Sequence, residues 1–225
     1  MILINSFELY ERQTHISSVL LLLILLCCAV IGLGRINNPN FFYSINKGFF
    51  QLKTQDKSFG ESTRLTGGAN LALTLNFFTT LGLGFFLFFY QNTSIFAAII
   101  AAVAFTLAFV TIQQVGFRLT SLISGQSAVS ENLSFITNQV WFMGGILFLF
   151  LGLFWILNMK AHDLFSLIFF GSVAFISFIR ILKGIVFASR YRISWYYIFL
   201  YLCTLEILPV FVTYKLIQMY FKMDL

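Results

Sequence analysis

Residues 17–34 read SSVLLLLILLCCAVIGLG, eighteen positions without a charged side chain. A helix needs about 20 mainly apolar residues to cross the hydrocarbon core of a membrane, so this stretch predicts a transmembrane helix. The segment before it contains Glu8, Glu11 and Arg12, which is unlike the basic start of a signal peptide, and no small-residue cleavage site follows it. We therefore expect the segment to be retained as the first span.

The composition extends this prediction to the whole chain. Of its 225 residues, 59% are hydrophobic and 10% are charged, whereas a soluble domain carries roughly 25% charged residues. Soluble globular and disordered proteins are both excluded. Five further apolar stretches predict spans at 69–90, 95–114, 139–157, 164–182 and 194–217. The predicted fold is all-α, a polytopic bundle of about six transmembrane helices in which residues 1–225 form a single integral membrane domain.

The basic residues are distributed unevenly between the two sets of loops. Ten lie at the ends of spans one, three and five or in the loops that follow them, and four lie on the other side (Arg12, Lys160, Lys215 and Lys222). Since cytoplasmic loops carry the excess of Lys and Arg, we expect the ten to face the cytoplasm and both termini to lie on the periplasmic side. Phe is the most unusual residue in number, at 30, and we expect it mainly as filler of lipid-facing helices rather than as a surface that binds lipid or aromatic groups.

The loop between the first two spans contains a helical pattern. Phe41, Ile45, Phe49 and Leu52 recur at helical spacing, with lysines at other positions. This indicates a short amphipathic helix in the membrane interface, with its aromatic side chains toward the acyl chains. The alternative is a segment packed beneath the bundle, and the pattern does not distinguish the two.

A second group of basic residues marks the helix ends on the same side. Arg118 and Arg180 lie within apolar sequence, where a guanidinium fork suits phosphate or carboxylate. Their other role would be to set orientation by extending toward the interface. The candidate contacts to anionic lipid head groups or to a partner are Arg118, Arg180, Lys183, Arg190, Arg192, Lys47 and Lys53.

Glu206 is the most informative single residue. Counted from Ser194 at about 1.5 Å per residue, it lies roughly 18 Å along the last predicted span, near the middle of the membrane. A charge there is costly unless it is paired, hydrated or protonated, so the position predicts a functional site. Pro209 frees a backbone carbonyl on the preceding turn. The candidate intramembrane polar site is Glu206, Pro209, Cys203, Tyr201 and Asn76; its alternative role is a structural pairing of Glu206 with Arg118, Arg180 or Asn76.

Signals of catalysis are weak. The chain has 2 His, both predicted outside the membrane, and lacks zinc-protease and phosphate-loop motifs. We expect no enzymatic activity, no cofactor and no metal. The expected partners are anionic lipid head groups on the cytoplasmic face and other membrane proteins, not nucleic acid.

The stretch YYIFLYLCTLEILP, residues 196–209, together with RILKG at 180–184, resembles a family of polytopic bacterial inner-membrane proteins, domain-of-unknown-function family 4271, largely from Bacteroidota. The resemblance lies mainly in the C-terminal third. It implies an inner-membrane location and no particular reaction.

Two functions are compatible with these features. The first is a non-enzymatic component, scaffold or assembly factor of a membrane complex, with a basic cytoplasmic face. The alternative is a small transporter or lipid flippase for an anionic, phosphate-bearing substrate that uses the intramembrane carboxylate.

Overall fold

The structure is a computed structural model that describes residues 14–38, 40–50, 67–91, 93–124 and 127–190. This part of the chain contains helices and no strands. The six α-helices, in chain order, are α1 (Thr14–Asn37), α2 (Phe41–Phe50), α3 (Gly67–Tyr90), α4 (Ile95–Ser124), α5 (Ser127–Leu157) and α6 (His162–Arg190), with a 3₁₀ turn, Met159–Ala161, before α6.

Five of these helices are long and apolar enough to cross a membrane, which confirms the all-helical membrane fold. The spans are Ser17–Ile36, Gly67–Tyr90, Ile95–Ile112, Thr137–Leu157 and Met159–Lys183. They agree with the first five predicted spans to within a few residues. The sixth predicted span, 194–217, lies outside the described residues.

The connection between the third and fourth spans is helical up to Ser124 and again from Ser127. The helix α4 continues twelve residues beyond its span, to Ser124, and α5 begins ten residues before its own span, at Ser127. The polarity of the sequence shows where each apolar run stops. A helix can continue beyond that point, because its backbone hydrogen bonds are satisfied internally in water and lipid alike.

The helix α3 lies at the centre of the bundle. It packs most extensively against α5, and α1 and α4 cover its other sides. A Cβ at Gly145 would lie 3.0 Å from Asn76 Nδ2, and one at Gly152 would lie 2.8 Å from Leu83 Cδ2. The difference between the two residue numbers is the same in both pairs. The contacts therefore advance in the same direction along both helices, and α3 and α5 run parallel. The helix α6 runs antiparallel to them, with Phe169 against Gly84 and Ile176 against Gly144.

The short helix α2 packs against the bundle with one face and exposes the other. Phe41 and Ile45 are fully buried and form a small core with Ala69, Leu73 and Phe142. A Cβ at Gly34 would lie only 3.0 Å from the Phe41 ring. The absence of a side chain at Gly34 therefore lets α2 pack close to the end of α1. The predicted helix is confirmed, but its Phe41 and Ile45 side chains contact protein rather than acyl chains.

Phenylalanine forms much of the interior. The rings of Phe77, Phe85, Phe88, Phe148 and Phe169 are buried in one continuous core. Other Phe side chains, such as Phe96, Phe150 and Phe175, are exposed on the outer surfaces of their helices. Phe in the described helices therefore occupies both the interior and the outer surfaces. Rings fill the spaces between helices because close packing, rather than removal from water, holds membrane helices together.

Candidate functional site

A buried amide lies at the closest approach of the two central helices. Asn76 is 2% exposed, and its Nδ2 faces Gly145 across the α3–α5 contact. The backbone of Phe77 also lies near Gly145: the Cβ of any larger residue there would be 3.0 Å from Phe77 Cα. Glycine at 145 therefore allows the helices to approach closely at the level of the Asn76 amide.

The Asn76 side chain differs from the other polar side chains of its helix. Thr74, Thr79 and Thr80 each donate a hydroxyl hydrogen bond of 2.8 Å to the carbonyl four residues earlier, which satisfies them within the helix. In contrast, neither Oδ1 nor Nδ2 of Asn76 has a hydrogen-bond partner in the described structure. A buried amide without hydrogen-bond partners lowers the stability of a fold by roughly 1–3 kcal/mol, so the Asn76 side chain is destabilising at this position.

A narrow cavity lies beside the parallel rings of Trp141 and of Phe77, the residue that follows Asn76. Its volume is about 10 Å³, the space of about one water molecule. Ser177 and Arg180, on successive turns of α6, supply its polar groups. The lining residues are Phe77, Leu81, Phe109, Trp141, Phe148, Val173, Ile176, Ser177 and Arg180. A cation and a hydroxyl thus line an otherwise aromatic and aliphatic space inside the bundle.

Arg180 and Lys183 are buried near the end of α6, at 4% and 7% exposure. The Lys183 ammonium lies 5.4 Å from the centre of the Phe49 ring, so α6 meets α2 here. Because the helices alternate in direction, the basic residues of the described helices, apart from Lys160, all fall at this end of the bundle. We call it the basic end: Arg35, Lys47, Arg118, Arg180, Lys183 and Arg190. Glu131 is the one acidic residue of the described helices at the basic end.

The structure brings together some of the residues singled out from the sequence. Asn76 on α3 and Arg180 on α6 are both buried, and Arg180 lines the cavity together with Phe77, the residue that follows Asn76. Lys47 lies on α2 beside the Tyr43 ring, and Lys183 of α6 lies beside the Phe49 ring of the same helix. Arg118 and Arg190 belong to α4 and α6, but their side chains are not described. Six candidates named earlier lie outside the described residues: Glu206, Pro209, Cys203, Tyr201, Arg192 and Lys53.

Other residues of this region were not found by sequence reasoning. Trp141, Ser177 and Gln139 are examples; Gln139 is 2% exposed, and its Oε1 has no hydrogen-bond partner within the described helices. Ser177 precedes Arg180 by three residues, a spacing that places both on one helix face. That spacing for Ser177, and the position of the Gln139 amide next to an apolar run, are the sequence features from which these two residues could have been predicted.

Metal ligands are not clustered in the described helices, where no three His, Cys, Asp or Glu side chains lie together. His162 packs instead against aromatic rings, 5.2 Å from Trp155 and 6.4 Å from Phe88 between ring centres. The polar groups best placed for chemistry or binding are therefore those around Asn76 and Arg180 and those of the basic end.

Comparison with known proteins gives one family. The family described as Domain of unknown function (DUF4271) matches residues 20–217, nearly the whole chain and not the C-terminal third alone. No curated protein and no solved structure matches the chain.

Proposed function

Because the chain belongs to the DUF4271 family, a family of unknown function, we propose its role from the geometry: a non-enzymatic subunit or assembly factor of a membrane complex. We place it in the inner membrane of a bacterium, in keeping with the resemblance to proteins of Bacteroidota. The basic end faces the cytoplasm in this proposal, because basic residues concentrate on that side of membrane proteins.

The observation that carries the proposal is the way glycine and aromatic side chains interlock along the central helices. The Phe169 ring fills the space that a side chain at Gly84 would need, and Gly145 lies against the backbone of Phe77. The Phe77 and Trp141 rings stack across the same contact. Close packing of this kind fixes helices in one arrangement, as a structural subunit requires.

The basic end supplies the surface for a soluble or membrane partner in this proposal. Arg190 ends α6, and the sequence adds Arg192, Lys53 and Lys57 in the segments next to the described helices. A partner with an acidic surface would complement this charge, and such complementarity chiefly sets specificity and the rate of association.

The test is purification from native membranes in a mild detergent. We expect a second protein to co-purify at fixed stoichiometry. Replacing Lys53, Lys57, Arg190 and Arg192 by Glu should release it, while Lys160→Glu at the opposite end serves as the matched control and should retain it. A chain that purifies alone, or a partner equally lost from both variants, would contradict the proposal.

A second function is favoured by a different observation, the buried polar groups Asn76 and Arg180 inside the bundle. Together with Glu206 in the last predicted span, they would suit a small transporter or flippase for an anionic, phosphate-bearing substrate. The discriminating variant is Glu206→Gln, which keeps the shape of the side chain but cannot ionise. A proton-coupled carrier should lose transport in proteoliposomes, and a structural subunit should assemble as before at every pH.

A further inference from the structure

Three cations from three helices each lie against an aromatic ring of α2. The guanidinium carbon of Arg35 on α1 is 5.6 Å from the centre of the Phe42 ring. Lys47 Nζ is 5.4 Å from Tyr43, on α2 itself, and Lys183 Nζ of α6 is 5.4 Å from Phe49. All three distances are within the range of cation–π attraction, about 6 Å. The helix α2 therefore gathers positive charge from both ends of the described chain.

Two of these contacts form a row along one side of α2. Phe42 and Phe49 are seven residues apart, so they project from nearly the same side, about 10 Å apart along the axis. Arg35 approaches the first ring and Lys183 the second. We call these four residues the α2 row. Arg35 is exposed, whereas Lys183 is largely covered.

The outward face of α2 is aromatic rather than polar. Phe42 is 47% exposed, Tyr43 is 65% exposed and Phe50 is 69% exposed. The opposite face, with Phe41 and Ile45, is anchored in the bundle. A helix that is fixed to protein on one side and presents aromatic rings on the other suits the boundary between head groups and acyl chains.

The surroundings of the α2 row favour an anion. The helices α1 and α2 contain no Asp or Glu. Glu131 on α5 lies at the basic end, eleven residues before Phe142 and so about 16 Å along the helix from the contact with Phe41 and Ile45. Stacking on an aromatic ring leaves the charge of a guanidinium intact, so the exposed Arg35 adds to the positive potential beside the Phe42 ring.

We propose that the α2 row binds the head group of an anionic phospholipid. Arg35 contacts the phosphate directly, since its fork of donors suits phosphate oxygens. Lys183 adds a second positive charge from a buried position, in surroundings less polar than water. The acyl chains lie along Phe42, Tyr43 and Phe50. This site goes beyond the proposed function, because it would be filled whether or not a protein partner binds the basic end.

The test uses the purified full chain in nanodiscs of phosphatidylcholine, with and without phosphatidylglycerol. Native mass spectrometry counts the bound phosphatidylglycerol, and tryptophan fluorescence gives the melting temperature. We expect phosphatidylglycerol to be retained and to raise the melting temperature of the wild type. Arg35→Gln should weaken its binding about fivefold, and Arg35→Gln with Lys183→Gln should weaken it further. Arg35→Lys should restore most of the binding.

Lys160→Gln, at the opposite end, is the matched control and should bind as the wild type does. Arg35 is exposed, so its replacement should leave the fold intact, and circular dichroism checks this for each variant. The proposal is overturned if phosphatidylglycerol binds no better than phosphatidylcholine, or if Arg35→Gln and Lys160→Gln behave alike. It is equally overturned if inorganic phosphate reproduces the rise in melting temperature, because the ligand would then be a free anion and not a lipid.

Discussion

The indole ring of Trp141 lies parallel to the phenyl ring of Phe77, with the ring centres 5.2 Å apart and the planes 4° apart. This stack joins α3 to α5 and forms one wall of the cavity that Arg180 lines. Both side chains are buried, at 2% and 1% exposure. The stack therefore links the packing of the central helices to the polar groups inside the bundle.

Removal of this stack should destabilise the protein. We expect Trp141→Ala to cost about 3 kcal/mol, near the lower end for aromatic truncations, because the unfolded chain also keeps apolar surroundings in lipid. Unfolding in mixed micelles, followed by circular dichroism, measures the change. Phe150→Ala on the same helix is the control; its ring is 56% exposed, and its loss should change stability by no more than about 0.5 kcal/mol. Equal effects of the two variants would contradict the assigned role of the stack.

The glycine at the α3–α5 contact should not tolerate even a methyl group. The added Cβ of Gly145→Ala would lie 3.0 Å from Phe77 Cα, a backbone atom that can move only with its helix. Overpacking of this kind typically costs about 1–3 kcal/mol. Gly171→Ala is the matched control, because no atom lies within 4 Å of the Cβ position there in the part of the chain that the structure describes. The melting temperature should fall for the first variant and stay level for the second.

Replacement of Asn76 should separate stability from function. Since neither polar atom of Asn76 is hydrogen bonded within the described structure, Asn76→Leu removes an unsatisfied amide and should leave the melting temperature equal or higher. If the amide serves a partner or substrate, the same variant should lose co-purification or transport. Thr80→Val is the comparison, since the Thr80 hydroxyl is already satisfied by the carbonyl of Asn76. A clear drop in the melting temperature of Asn76→Leu would show that the amide is structural.

The contact between α2 and the bundle should protect Lys47 from trypsin. Phe41 is fully buried, and Phe50 on the same helix is 69% exposed. Phe41→Ala should release α2 and expose the backbone at Lys47, which limited proteolysis of nanodisc-embedded protein would detect as faster cleavage. Phe50→Ala should be cut at the wild-type rate. If neither variant is cut faster than the wild type, the Phe41 side chain is not what holds α2.

Orientation can be tested by labelling. In a background with Cys27, Cys28 and Cys203 replaced by Ala, Lys160→Cys should react with a membrane-impermeant maleimide on intact cells. Lys47→Cys, at the basic end, should react only after the cells are permeabilised. This outcome follows from the bias of Lys and Arg toward the cytoplasm. The opposite pattern would reverse the proposed orientation.

Much of the membrane topology could be read from the sequence. Apolar runs of sufficient length identified the first five spans, since the need to satisfy the backbone in lipid leaves a helix as the only local solution. The period of Phe41, Ile45 and Phe49 likewise predicted the helix α2. Arg180 and Asn76 were also singled out, because polar side chains within apolar sequence are conspicuous.

Which faces of the spans meet was decided only by the tertiary structure. The membrane-spanning parts of α1, α3, α4 and α5 are mainly apolar on every face, so their sequences carry little signal of an inner face. Lipid is as apolar as the protein interior, and contact depends on the shape of side chains rather than on their polarity. Length and hydrophobicity therefore determined that these helices cross the membrane. The fit of Gly145 against Phe77, of Trp141 on the Phe77 ring and of Phe49 beneath Lys183 depends on residues distant in sequence, which only the folded chain brings together.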